Sequence, residues 1–598
     1  MDSLPDDLQE QLLLQRWPTF TEAIEEVKAI GKISGPTALT GLLLYSRAFT
    51  SMLFLGRLGS LELAAGSLSV GFANITGYSV LTGLALGMEP ICGQAHGAKQ
   101  TALLGLTLQR TVLLLLSAAV PISFLWLNMY RILLWCGQDE KISAVAGNFI
   151  VMAIPDLYVL SLLHPLRIFL RMQGVTLPVT SCSAASVILH IPLNILLVRH
   201  LKMGVAGVAV AMVLTNLNLF IFLSFCIYLS EKYRDCFCHV AVSRECFKGW
   251  STLLTMAVPT CVSVCLEWWW YELMVMLCGL LVNPRATLSS MGILIQTTSF
   301  LYIFPSALGL GVSTRVGNEL GASRPARART STIVSMVWAF GLGAAAIAFT
   351  TLMRHQWAGI FTADVEVLEL TAAALPIVGL CELGNCPQTT GCGVLRGTAR
   401  PAVGANINLG SFYAVGMPVA VVLGFATKMG FAGLWLGLLA AEASCAALML
   451  IVLWRTDWKV QVERAKQLTN QSSSSSSSST LDDDHPIMMN TGEKEVYKRL
   501  CDEEALVRKA GLKVTCFCNV WVGVKSIRDV VSDPEMAELK RSAFGNFFKF
   551  GGIKYVNGQL LKMAEFLMMG CDVGDMDEHE IVAYRKKMTV ELLAYPAV

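Results

Sequence analysis

Charge is scarce in most of this chain. Asp, Glu, Lys and Arg make up 15% of its 598 residues, against about 25% in soluble domains. Of those 90 residues 35 fall in 481–598, so the first 480 positions hold 55, too few to clothe a soluble body of that size. A net charge of +2 and the want of a basic-aromatic stripe argue against nucleic acid as a partner. There is no Gly-x-x-x-x-Gly-Lys-Ser/Thr phosphate loop for ATP-driven work, and no His-Glu-x-x-His or Gly-x-Ser-x-Gly pattern of a membrane hydrolase. The chain therefore reads as a non-enzyme that needs no cofactor. Its 18 cysteines give no disulfide framework, since many lie in apolar runs (Cys182, Cys226, Cys261, Cys265, Cys278, Cys445). Cys236-Phe237-Cys238 and Cys516-Phe517-Cys518 lack the second pair or the histidines of a zinc site, so no metal is expected. A cleavable signal peptide is absent too, because acidic residues are scattered through the first 26 positions.

What the chain has instead is long apolar runs. A run of about 20 residues crosses a hydrocarbon core of about 30 Å as a helix. Twelve are predicted: 33–55, 66–90, 102–127, 144–165, 177–197 and 204–229, then 251–281, 288–312, 329–353, 366–390, 404–427 and 430–454. The fold class is an all-α polytopic membrane protein in a lipid bilayer, with an N-lobe at 33–229 and a C-lobe at 251–456 joined by a loop at 230–250.

The two halves repeat one another. Gly87, Gly93, Gly97 and Ala98 return as Gly311, Gly317, Gly321 and Ala322, each 224 positions later. Lys202-Met203-Gly204 returns as Lys428-Met429-Gly430 at an offset of 226, while Pro36-Thr37 returns as Pro259-Thr260, and Gly174 with Pro178 as Gly397 with Pro401, at 223. Six spans per half makes these parallel repeats, related by an axis along the membrane normal, and such chains work at the seam between halves. The glycines four apart leave a smooth helix edge, which tight packing and a turn explain without any ligand.

Loops after the even-numbered spans carry about 13 Lys and Arg, including Arg167, Arg171, Lys232, Arg244, Arg315, Arg324, Arg327 and Arg329, against about 8 in the others. This bias puts both termini in the cytosol. Within the segment 1–32, Thr19 and Glu22 form a capping-box pattern, and Phe20, Ala23, Ile24 and Val27 line one side of a helix. That helix lies in the headgroup layer or simply leads into the first span. Residues 457–490, with an unbroken serine run at 472–479, read as a flexible linker, and 491–598 as a cytosolic tail without a catalytic motif.

Ionisable groups inside spans are costly, so each is a functional candidate. The seventh span holds Glu267-Trp268-Trp269-Trp270-Tyr271-Glu272, six consecutive polar or aromatic residues that cover every direction around a helix. Glu267 and Glu272 are roughly 140° apart on the axis, and a carboxyl held away from water can take up and release a proton near neutral pH. Trp268, Trp269 and Tyr271 offer flat faces to an aromatic or cationic solute. The other reading of this cluster is an interfacial aromatic belt. In the tenth span Glu382, Asn385 and Gln388 fall three apart on one face, interrupted by Pro376 and Pro387, as expected of a broken helix lining a cavity or of a hydrogen-bonded helix seam. Asp156, after Pro155 in the fourth span, is a second proton site or a cap at a kink, and His164 and Arg167 near it read as snorkelling or loop packing. The first span has no acid.

These residues resemble the plant branch of the multidrug and toxic compound extrusion (MATE) transporters over about residues 30–456. The likeness is carried by Pro90-Ile91-Cys92-Gly93-Gln94-Ala95-His96-Gly97-Ala98, Leu163-His164-Pro165-Leu166-Arg167, Leu266-Glu267-Trp268-Trp269 and Gly311-Val312-Ser313-Thr314-Arg315-Val316-Gly317-Asn318-Glu319-Leu320-Gly321. The resemblance implies two six-helix lobes in a V, and a solute cavity open to alternate sides. It also implies export of small organic compounds (xenobiotics, secondary metabolites, hormones or organic anions) in exchange for protons by a single chain. It further implies that Glu267 matches the family's proton-site glutamate. An aspartate common in the family's tenth helix is Asn385 here, three residues before Gln388; Glu382 and Glu272 are the two candidates to replace it. The rivals are a lipid-linked flippase of related architecture and a non-transporting membrane sensor acting through its tail. No sorting signal chooses between the plasma membrane and an endomembrane such as vacuole, Golgi or late endosome. Residues 539–547 are faintly similar to a plant transposon-associated domain, which would make the tail a fused fragment.

Overall fold

The computed structural model describes residues 16–229 and 244–474, apart from Ala363 and Lys428. Among them there is no strand, and twelve helices are long and apolar enough to cross a membrane. They are α1 Phe20–Leu58, α2 Leu61–Gly97, α3 Thr101–Leu127, α4 Glu140–Met172, α5 Leu177–His200 and α6 Gly204–Leu229. The second six are α7 Trp250–Cys278, α8 Arg285–Gly321, α9 Pro325–Leu352, α10 Val365–Gly397, α11 Pro401–Ala426 and α12 Gly430–Trp454. All twelve expected spans are present, and α1, α2, α4, α8 and α10 run well past the apolar core that predicted them.

The duplication is visible in the packing. In the first copy α4 touches α2, α3 and α6, while α1 pairs with α5; in the second α10 touches α8, α9 and α12, while α7 pairs with α11. The two central helices begin alike, with Asp139 and Asp364 as N-caps that accept from backbone N–H groups of the first turn (2.9 and 3.1 Å for Asp139 and 3.1 Å for Asp364). Between copies α1 packs on α8 and α7 on α2, contacts that exchange under the repeat. The turns repeat as well: Lys99 and Ser323, equivalent positions after α2 and α8, are both left-handed (φ 58° and 57°), and Gly204 and Gly430 open α6 and α12 at φ 57° and 52°.

Several expectations change. Gly174 and Gly397 are not equivalent. Gly174 makes the left-handed turn after α4 at φ 75°, and its counterpart is Ala399 at φ 54°; Gly397 is the last residue of α10, where a Cβ would come 2.9 Å from the Ser313 carbonyl oxygen. The helix carrying Pro376 and Pro387 is not broken, since α10 is continuous through both. Each proline removes one backbone hydrogen bond, and dense packing on α8, α9 and α12 holds the helix straight through. Arg167, Arg171 and Arg315, counted as loop residues, lie inside α4 and α8. The capping box forms (Thr19 N–H to Glu22, 2.8 Å; Glu22 N–H to Thr19 Oγ1, 3.4 Å), yet it starts α1 itself rather than a separate surface helix. The inward residue there is Glu26, buried against Arg315 (2.9 and 3.0 Å) and Ser331 (2.6 Å), while Phe20 is exposed. The expected linker 457–490 opens as a helix, α13 Trp458–Ser474, because Trp458, Val462, Ala465 and Leu468 recur at helical spacing and bury one face. The rest of that linker, the tail and both Cys-Phe-Cys sequences lie outside the described residues; Cys226 and the other span cysteines are free thiols.

Candidate functional site

In the C-terminal half four helices bring their polar side chains together. Glu267 of α7 faces Tyr302 of α8 and Gln388 of α10. One turn before Asn385, Glu382 is buried and accepts from the Asn385 amide (2.9 Å). Thr389 donates to Asn385 Oδ1 (3.1 Å) and to Gln388 Oε1 (2.9 Å); Gln388 Nε2 in turn donates to Asn408 of α11 (3.2 Å), which donates to Ser263 of α7 (3.0 Å). The three-apart spacing thus sets Glu382, Asn385 and Gln388 on one face of a continuous helix. Tyr271 lies among the same acids.

The sequence did not single out a third carboxyl in this group. Glu442 of α12 is buried, lies within electrostatic reach of Glu267 and Glu382, and has an Oε2 atom with no hydrogen-bond partner. Gly384 of α10 permits this closeness, since a Cβ there would stand 2.9 Å from the Glu442 Cβ. The signal was present as a lone acid within the apolar run of the twelfth span, which the rule for intramembrane charges should have flagged. Three carboxyls held close together repel one another when ionised.

Other expected members are elsewhere. Glu272 points to the first half, its carboxylate about 4 Å from where a Cβ on Gly71 of α2 would be, so Glu442 and not Glu272 joins the acids near Asn385. Trp269 also reaches across the seam, its indole N–H donating to the Ile75 carbonyl (3.2 Å). Trp268 is half-buried. Trp270 is fully buried against Phe412 and Tyr413 (ring centroids 5.7 and 6.2 Å) and is core of the second half.

Asp156 belongs to a separate network in the first half. It accepts from Tyr78 (3.1 Å) and Asn216 (2.7 Å), and Asn216 accepts from Arg47 of α1 (2.6 Å). Tyr78 ends a π-helical stretch of α2, Asn74–Tyr78, a distortion common at functional sites. His190 adjoins this network between Ser51 (3.0 Å) and Thr215 (2.7 Å). His164 and Arg167 lie within α4 rather than in a loop, both half-buried, His164 near Arg167 and Arg167 within electrostatic reach of Arg47 and Arg171. Among the described residues no cluster of three or more His, Cys, Asp or Glu could hold a metal ion.

The doubled glycines close the seam. Gly93 and Gly317, equivalent positions, meet each other: a Cβ on either would stand 3.3 Å from the Cα of the other. Glu89 and its equivalent Ser313 also meet, Ser313 donating to Glu89 (2.8 Å). Glu89 is paired with Arg171 and with Arg396 (2.8 Å), themselves equivalent. Gln94 donates to the Gly397 carbonyl (3.1 Å), and Asn318 to the Met172 carbonyl (3.2 Å), as the repeat requires. A pseudo-two-fold axis therefore passes through this end of the bundle, where α2, α4, α8 and α10 finish.

Two repeated six-helix halves meeting on such an axis, each with its own interior polar network, define a polytopic membrane transporter. A family model described as MatE matches residues 36–196 and 259–422, one stretch in each half. Protein DETOXIFICATION 48 of Arabidopsis thaliana is 69% identical over 463 residues, covering 77% of this chain and 87% of that protein. Protein DETOXIFICATION 49 of the same plant is 58% identical over 454 residues, with 76% and 90% covered. Among solved structures, that of the eukaryotic MATE transporter AtDTX14 superposes with a TM-score of 0.72 at 31% identity, over 75% of this chain and all of that one. The chain belongs to the MATE family: it is an integral multi-pass membrane protein of a class that moves small organic solutes across membranes.

Proposed function

We propose that this protein exports small organic compounds from the cytosol in exchange for protons, by alternating access between its two halves. The observation that carries this reading is the set of three carboxyls, half-buried Glu267 with buried Glu382 and Glu442, gathered from α7, α10 and α12 around the amides of Asn385 and Gln388. A proton entering this set removes a negative charge from a low-dielectric site and rearranges its hydrogen bonds. Because Gln388, Asn408 and Ser263 tie α10, α11 and α7 together, that change reaches the helix that packs on the other half. Glu267 would take the incoming proton, Glu382 and Glu442 would tune it, and Tyr271, Asn385 and Gln388 would shape the solute cavity. Closure at the Glu89 end, the cytosolic end on this reading, would leave the cavity facing away from it. The working unit would be a single chain.

The test is transport by purified protein in vesicles with an imposed proton gradient. Solute movement should follow the gradient, and Glu267→Gln should abolish that dependence; a variant that keeps full gradient-dependent transport would sink the role of Glu267. A lipid-linked flippase is the second reading, because Arg47 and Arg167 set cations in the interior. Translocation of a lipid-linked phosphate, indifferent to the gradient, would favour it.

A further inference from the structure

We propose that the outer face of the second half binds an anionic phospholipid of the surrounding bilayer, with its chains in a groove between α9 and α12 and its phosphate on Arg455 and Lys459. The groove has a volume of about 1180 Å³, above the roughly 300–1,000 Å³ of a small-molecule pocket. It lies at the Glu89 end of the bundle, where α9 starts and α12 finishes. Its floor is apolar: Val337 and Phe340 of α9 and Ile451 of α12 are exposed on membrane spans. Arg329, at the other end of the lining, stands eleven positions before Phe340, about 16 Å along the helix axis. Half of a hydrocarbon core is about 15 Å, so the groove runs the depth of one leaflet.

The rim suits a charged head. Arg329 donates to the Arg16 carbonyl (2.7 Å), which fixes the chain ahead of α1, and Trp17 stands against Trp454 (ring centroids 6.3 Å). Both indoles are exposed, as tryptophans are at the level of lipid headgroups. Arg400 holds the turn from α12 to α13 by donating to Thr456 Oγ1 (2.9 Å), and buried Trp458 anchors it. Three cations, Arg329, Arg455 and Lys459, line the groove against one acid, Asp457. That carboxylate is engaged at the start of α13, accepting from the N–H groups of Lys459 (3.0 Å) and Val460 (3.4 Å). The Arg455 and Lys459 side chains make no hydrogen bond or ion pair among the described residues. Free cations above an apolar trough one leaflet deep match a phosphate carried on acyl chains. An extended peptide laid there would take backbone N–H and C=O groups into hydrocarbon without partners. On the orientation proposed above this is the cytosolic leaflet, which holds the anionic lipids.

The experiment uses the full chain in nanodiscs of equal parts dioleoyl phosphatidylglycerol and dioleoyl phosphatidylcholine, with a photo-reactive benzophenone residue replacing Val337. After illumination, mass spectrometry should find phosphatidylglycerol adducts in excess of phosphatidylcholine adducts on the order of ten-fold, the effect of a Lys and an Arg at a lipid surface. Combining Arg455→Gln with Lys459→Gln should bring the two lipids to parity. The same pair of changes should leave the melting temperature in place, since neither side chain has a bond to lose. Lys141→Gln, at the far end of the bundle, should leave the excess unchanged. Equal adducts of the two lipids in the parent overturn the proposal, as does an excess that survives loss of both cations. Adducts to residues 1–15 of the same chain or to a second copy, in place of lipid, overturn it as well. Inorganic phosphate should compete no better than chloride of equal ionic strength; if phosphate alone abolishes the excess, the rim is a soluble-anion site and the lipid assignment fails.

Discussion

The two halves share a frame and differ in charge. Their central helices, α4 and α10, start at the same cap, carry two prolines each and end in the same seam, yet their polar contents are opposed. Around α4 stand Arg47, His164, Arg167 and Arg171 with Asp156; around α10 stand Glu267, Glu382 and Glu442, with Arg396 as the cation within reach of Glu267. Positions that coincide under the repeat, Gly93 with Gly317 and Gln94 with Asn318, are devoted to contact between halves. Arg171 and Arg396 coincide, but Glu267, Glu382, Glu442, Asp156, Arg47 and Arg167 have no charged equivalent in the other half. The repeat makes the seam symmetric, and differences at a few interior residues make its two sides chemically unlike.

That contrast can be broken from either side. The largest effect is expected from Glu267→Gln, which should reduce gradient-driven vesicle transport to the protein-free background while leaving the melting temperature in place. Glu89→Ala strips the shared acid from Arg171 and Arg396 and should destabilise the fold by about 3–5 kcal/mol, the cost of breaking a buried ion pair, read as a lowered thermal midpoint in detergent. Gly97→Ala should cost about 1–3 kcal/mol by overpacking, because its Cβ would enter the Asn318 backbone, measured in the same way. Glu442→Gln should slow gradient-driven transport on the order of ten-fold, about 1.4 kcal/mol in the barrier. Glu272→Gln should change transport least, because its carboxylate sits against Gly71 of α2 and away from the acids; a loss equal to that of Glu267→Gln would move the proton site across the seam.

Apolar run length and the internal repeat made the helix count and the two halves legible, since both are local or periodic properties. Glu382, Asn385 and Gln388 were legible for the same reason: three-residue spacing on one helix reports a shared face. Glu442 was not, because its neighbours lie on α7 and α10 and no spacing within α12 points to them. The ion pairs of Glu89 with Arg171 and Arg396 are hidden similarly, being separated by 82 and 307 positions. Pro376 and Pro387 misled in the other direction. Proline disfavours a helix locally, but packing of α10 on three neighbours outweighs two lost backbone hydrogen bonds. The Gly174 and Gly397 correspondence failed because the turn after α4 is longer than that after α10, so matching letters stood at unlike places.

Glu89 lies where the pseudo-two-fold passes, opposite a serine rather than another acid, and this has an electrical consequence. Arg171 rides on the same half as Glu89 and keeps its counter-ion however the halves move, whereas Arg396 rides on the other and gives it up when they part. Under the proposed alternating access, separation would leave one face neutral and the other with a bare positive charge, within electrostatic reach of Glu267. On that proposal the joint would act as a charge separator as much as a hinge, and the energy of opening it would depend on whether the acid near that arginine holds a proton.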